Sequence, residues 1–99
     1  MIRMLLNNEN VQKCRRVIDR FGYTPQTRQV AEECCELALA SLKMLREHTC
    51  AQEFSENFKE ELVDVIVMAT QAVMMSGITE TEINHRAQKK LDKVLNKHY

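Results

Sequence analysis

The chain has 99 residues, 44% hydrophobic and 28% charged, and its formal net charge is 0. That describes a single small globular domain spanning 1–99, with no basic excess to serve a nucleic-acid polymer and no acidic excess to mark a disordered tail. Gly 2 and Pro 1 are too few for a loop-rich β fold.

The opening Met1-Ile2-Arg3-Met4-Leu5-Leu6 is apolar but stops at Asn7-Asn8. It is too short for a secretory core and lacks a small-residue cleavage site. The longest near-apolar run, Leu62 to Met75, contains Asp64, Thr70 and Gln71. It falls short of the roughly 18 uninterrupted apolar residues a membrane span needs. The expectation is a cytoplasmic protein with no membrane partner. Cys34 and Cys35 are neighbours, Cys14 and Cys50 are isolated, and no C-x-x-C spacing occurs. The four read as reduced cysteines used as small apolar residues, not as disulfides or zinc ligands.

The first helix is expected from about Glu9 to Phe21, with Asn8 as N-cap and Gly22 beyond its end. The second starts at Thr24-Pro25, a cap followed by proline at the first helical position, and runs to about Glu47. Val30, Cys34, Leu37, Ser41, Met44 and Leu45 recur along it at helical spacing. His48 to Gln52 reads as a break in which Thr49 can cap the next helix.

The third helix is expected from about Gln52 to Met75. Phe54, Phe58, Leu62, Val65, Met68, Ala69 and Ala72 define one apolar face, and Val63, Ile66, Val67, Val73 and Met74 cover much of the rest. A helix apolar nearly all round is buried on more than one side, which predicts a second subunit against it. Ser76-Gly77 ends it. Thr79 and Glu82 form a capping box for a fourth helix to about Lys97, with Ile83, Ala87, Leu91, Val94 and Leu95 expected to face inward. No segment alternates with period two. The fold class is all-α, a compact four-helix bundle-like domain that self-associates.

Two acidic pairs stand out. Glu33 and Glu36 lie three residues apart, as do Glu61 and Asp64. On a helix each pair shares one face, one turn apart. One such pair is common on a solvated face and means little alone. Here Glu61 falls between Phe58 and Val65, inside the apolar stripe, where an unpartnered carboxylate is costly. If the second and third helices pack antiparallel, four carboxylates converge. Their repulsion is relieved by a divalent cation, and an all-oxygen donor set favours Mg²⁺, or Mn²⁺, over zinc. Mg²⁺ commonly shares its shell with phosphates, which directs attention to a phosphate-bearing substrate.

These residues resemble the MazG-like all-α nucleoside triphosphate pyrophosphohydrolases, whose signature is E-x-x-E on one helix and E-x-x-D on the next. The resemblance runs from Phe21-Gly22 through Gln26, Glu33, Glu36 and Leu37, then Glu60-Glu61-Leu62-Val63-Asp64-Val65, to Lys89-Lys90-Leu91-Asp92-Lys93. It implies a Mg²⁺-dependent hydrolase that cleaves a nucleoside triphosphate to the monophosphate and pyrophosphate, and that assembles as a homodimer or homotetramer. It implies Glu33, Glu36, Glu61 and Asp64 as metal ligands, with Glu33 or Glu36 activating water. Lys90 and Lys93 match a basic pattern that reaches towards phosphates, and Gln26 matches a polar substrate-contacting position. Read without the resemblance, those lysines are a solvated face favoured by the helix dipole.

Two other readings compete. A di-iron carboxylate bundle needs two E-x-x-H motifs, and Glu82-Ile83-Asn84-His85 is the one this chain has. A non-catalytic helical interaction or nucleotide-binding module would instead use the apolar third helix as its partner surface.

Overall fold

The computed structural model describes residues 5–47 and 53–96. They form four helices, α1 (Asn8–Phe21), α2 (Tyr23–Glu47), α3 (Glu56–Ser76) and α4 (Glu80–Leu95), with no strand among the described residues.

The helix ends follow local chemistry. Asn7 caps α1, one residue earlier than Asn8, its Oδ1 accepting from the Asn10 N–H at 2.9 Å. Gly22 stops α1 at φ 91°, a backbone region that favours glycine, and its N–H donates to the Ile18 carbonyl at 2.8 Å. Pro25 sits in the first turn of α2, where its missing N–H removes no helical bond.

The third helix begins later than its hydrophobic spacing suggests. Ser55, not Thr49, is its cap, accepting from the Phe58 N–H at 3.1 Å. The rings of Phe54 and Phe58 meet edge to face at 4.9 Å across that cap, much as a hydrophobic staple does. His48 to Gln52, Thr49 included, lie outside the described residues. Gly77 ends α3 in the left-handed region, and Thr79 Oγ1 accepts from the Glu82 N–H at 3.1 Å to start α4.

α2 and α3 form the main pair, and α1 packs on both, chiefly on α3. Cys14, Ala40, Met44 and Met68 are buried where they meet. Each methionine side chain buried there contributes about 1.5–3 kcal/mol. Thr70 is also buried, but its hydroxyl donates to the Ile66 carbonyl at 2.8 Å, so it leaves no orphan donor.

The fourth helix departs from expectation. α4 packs against none of the other three and has no buried residue. Leu91, Val94 and Leu95 are exposed, Leu95 by 78%. A 115° bend between α3 and α4 turns the helix away from the core. Helical periodicity reveals an apolar face but not what covers it. The described chain is therefore a three-helix core with a projecting fourth helix. Its radius of gyration, 15.9 Å, exceeds the roughly 13 Å of a compact chain this long.

α3 is better covered than its composition suggests. α1 and α2 both pack on it and leave Ile66, Val67, Val73, Met74 and Met75 partly buried. Leu62 and Val63 remain exposed.

Candidate metal centre

α2 presents Gln26, Val30, Glu33, Leu37, Ala40 and Met44 at alternating four- and three-residue spacing, the seam that packs helix on helix. Gln26, Ala40 and Met44 are buried, and Val30, Glu33 and Leu37 are partly buried. On α3 the facing seam runs through Glu61, Val65, Met68 and Ala72. Each helix thus carries one carboxylate on its packing face because the sequence places an acid at a seam position.

The register is set by two amides. Gln26 Nε2 donates to Gln71 Oε1 at 2.8 Å between α2 and α3, with both side chains buried. Gln26 lies two turns before Glu33, and Gln71 lies two turns after Asp64. In an antiparallel pair, the register that joins the amides sets Glu33 opposite Asp64 and Glu36 opposite Glu61. One carboxylate oxygen from each of Glu33, Glu61 and Asp64 accordingly falls within 4.8 Å of the other two. Glu36 is outside that group of three but close enough for its charge to act on both Glu33 and Glu61.

The site is electrostatically strained. Partial burial pushes the Glu33 carboxyl above its ordinary value, and the negative charges of Asp64, Glu61, Glu36 and Glu32 push it the same way. Glu61 is raised by burial first, then by Asp64, Glu36 and Glu60. Protons or a cation relieve such a cluster. A Mg²⁺–oxygen distance of about 2.1 Å puts neighbouring ligands roughly 3 Å apart and opposite ones about 4.2 Å apart. The three oxygens, within 4.8 Å of one another, would draw in by up to about 2 Å to reach that spacing, and all are hard donors of the kind Mg²⁺ and Mn²⁺ take.

The remaining candidate residues lie elsewhere. Gln26 is buried and holds Gln71. Lys90 and Lys93 are exposed on α4, which packs on none of the other three helices. Glu82 and His85 share that helix, and Glu82 pairs with Arg86 at 3.5 Å. Gln71 is the residue that sequence reasoning passed over. Its signal was a polar side chain inside the apolar run of α3, two turns beyond Asp64.

Beside Gln71, a groove of about 270 Å³ opens between α1 and α3, lined by Cys14, Val17, Val63, Val67 and Gln71, with Asn10 and Lys13 among its polar residues. Burial pushes the Cys14 thiol up, and a hydrogen bond with the Gln71 side chain partly offsets this. Cys14, Cys34 and Cys35 are free thiols, and Cys50 lies outside the described residues.

Comparison with family models, curated proteins and solved structures found no match for this chain. Among the described residues, no single helix is long and apolar enough to cross a membrane.

Proposed function

We propose that the chain is a metal-dependent nucleoside triphosphate pyrophosphohydrolase of the MazG-like kind its sequence resembles. The observation that carries the reading is the meeting of Glu33, Glu61 and Asp64, from two helices, within 4.8 Å, with two of those carboxyls raised by burial and mutual repulsion. Glu33, Glu36, Glu61 and Asp64 would hold Mg²⁺ or Mn²⁺. When bound, the ion would supply charge neutralisation for phosphate oxygens and a more acidic water.

The residues themselves divide the work. Glu33 binds a proton more tightly than an ordinary carboxylate, which suits it to take one from a water attacking the α-phosphorus; Glu36, one turn along the same helix, is the alternative by position alone. The P–O bond to the β-phosphate breaks, and the products are a nucleoside monophosphate and pyrophosphate. Positioning and electrostatics supply most of the rate in such reactions. Lys90 and Lys93 would offset charge on the leaving pyrophosphate, which requires α4 to close over the cleft or to come from a second copy in a homodimer or homotetramer. The base and sugar need an apolar surface with hydrogen-bonding groups next to the phosphates. The groove at Val63 and Val67, within a turn of Asp64, supports that need.

The test is a panel of ordinary, deoxy and damaged nucleoside triphosphates with Mg²⁺ or Mn²⁺, scored for products. Monophosphate and pyrophosphate in equal amounts support the reading. Diphosphate and inorganic phosphate would contradict the cleavage position. The second reading, a non-catalytic interaction module, is favoured by the exposed leucines of α2 and α4. It predicts partner binding with no product from any triphosphate.

A further inference from the structure

Gln71 is 2% exposed, yet it lines the groove between α1 and α3. Its amide is half used. Oε1 accepts from Gln26 Nε2 at 2.8 Å. Nε2 carries two N–H groups, and the atom it meets is the Cys14 sulfur, a weak acceptor. Among the described residues, no oxygen accepts from it. A buried N–H without a full acceptor is costly, and in folded proteins such exceptions mark a bound water or a ligand. The Gln26 bond also fixes which end of the amide faces which way. The oxygen is turned to α2, and the nitrogen to Cys14 on α1, which lines the same groove.

The rest of the groove narrows what can supply the missing acceptor. Cys14, Val17, Val63 and Val67 make apolar walls, and Lys13 alone is charged among the described lining residues. Such walls take a flat, uncharged ring. The volume of about 270 Å³ lies just below the roughly 300–1,000 Å³ of ordinary ligand sites, which favours one ring over a fused pair. Val63 directly precedes Asp64, so a ring held there has its substituents beside the carboxylates.

We propose that Gln71 selects the base: its free N–H donates to a carbonyl oxygen of uracil, thymine or cytosine, and the chain takes pyrimidine nucleotides in preference to adenine ones. An unoccupied glutamine amide can pair with adenine by offering both its oxygen and its nitrogen. Here Gln26 holds the oxygen, and the donor end is what remains. Adenine has no carbonyl to meet it and carries a second ring. Gln26 is then a positioning residue, which sets the amide without touching the base.

This inference rests on the reading that the groove holds the base of a nucleotide. Binding of pyrimidine triphosphates without cleavage would remove the pyrophosphohydrolase and leave the inference standing, whereas pyrophosphate release from ATP as fast as from UTP would do the reverse. The experiment is isothermal titration of the full chain, in Mn²⁺, with α,β-imido analogues of UTP, CTP and ATP. Wild type should bind the two pyrimidine analogues about tenfold or more tighter than the adenine one, the scale of a lost hydrogen bond. Two variants remove the donor: Gln26→Leu with Gln71→Leu, and Gln71→Glu, which is equal in size and keeps an oxygen for Gln26. Each should lose that factor for UTP and CTP and leave ATP nearly unchanged. If one variant fails to fold by circular dichroism, the other decides, and the wild-type ratio stands by itself. A wild type that binds all three analogues equally, or none, overturns the proposal. So does a folded variant that keeps the preference, or one that weakens all three analogues alike, which is what a merely structural role for Gln71 would give.

Discussion

Gln26 and Gln71 join α2 to α3 through a buried hydrogen bond, Nε2 to Oε1 at 2.8 Å, in the same register that opposes Glu33 to Asp64. The amides have an apolar alternative, since aliphatic side chains could fill that space. What the amide pair adds is a penalty for slipping out of register, because a shifted helix would leave two buried amides unpaired.

Gln71→Leu should therefore destabilise the fold by about 1–3 kcal/mol, since it strands the Gln26 amide. Adding Gln26→Leu should recover much of that loss, because no polar group is then left unsatisfied. Denaturant unfolding of the two single variants and the double variant measures the coupling. A double variant whose loss equals the sum of the singles would mean that the amides act independently.

Divalent metal should stabilise the protein through the carboxylate cluster. At a hundredfold excess over Kd, linkage gives about 2.7 kcal/mol, and at about 4–8 °C per kcal/mol for a domain of this size the melting temperature rises clearly. Glu61→Gln should melt higher than wild type without metal, because it removes like-charge repulsion at equal size, and should lose the response to Mg²⁺ or Mn²⁺. A Glu61→Gln protein that still responds fully would place the ion elsewhere.

The pH dependence follows from the raised carboxyls. Glu33 and Glu61 bind protons more tightly in the fold than at the ordinary value of 4.5. The stability they contribute is fully present below 4.5 and is lost as pH rises through the raised values. Without metal, stability should fall with rising pH across that window, and the slope should flatten in Glu33→Gln and Glu61→Gln. With metal the sign reverses, because the ion needs the deprotonated carboxylates. The metal-induced rise in melting temperature should shrink as pH falls through the same window. Thermal melts at stepped pH, with and without Mn²⁺, check both halves.

Much of this was legible in the chain. Gly22, Gly77 and Thr79 punctuate the helices because each position demands a positive φ or a cap. That acids of α2 and α3 meet was legible from Glu61 inside the apolar stripe and antiparallel packing of the two helices, whereas the grouping of Glu33, Glu61 and Asp64 without Glu36 depends on the register. The start of α3 was not legible, because Ser55 and the Phe54–Phe58 contact set it rather than the hydrophobic period. The place of α4 was not legible either: Ile83, Ala87 and Leu91 announce an apolar face, and the bend after Gly77 decides that the described chain does not cover it. Gln26 matched a substrate-contacting position in the sequence, whereas its buried bond to Gln71 depends on a pairing 45 residues away.

Substrate and metal contacts should separate by mutation. Val67→Phe fills the groove between α1 and α3 and should raise KM about tenfold or more, since roughly 1.4 kcal/mol of lost binding is a factor of ten. Lys90→Ala should lower nucleotide affinity or rate. Both should keep the metal-induced rise in melting temperature. Isothermal titration with Mn²⁺ and with a non-hydrolysable triphosphate distinguishes the two effects, and loss of Mn²⁺ binding in either variant would contradict this division of labour.

The most direct measurement is pyrophosphate release from nucleoside triphosphates by wild type and Glu61→Gln, side by side, with Mg²⁺, with Mn²⁺ and with chelator. Wild type should release pyrophosphate and monophosphate only when metal is present, and Glu61→Gln should be folded and inactive. No release by wild type from any triphosphate with either metal, or equal release by Glu61→Gln, would contradict a metal-dependent pyrophosphohydrolase site at Glu33, Glu36, Glu61 and Asp64.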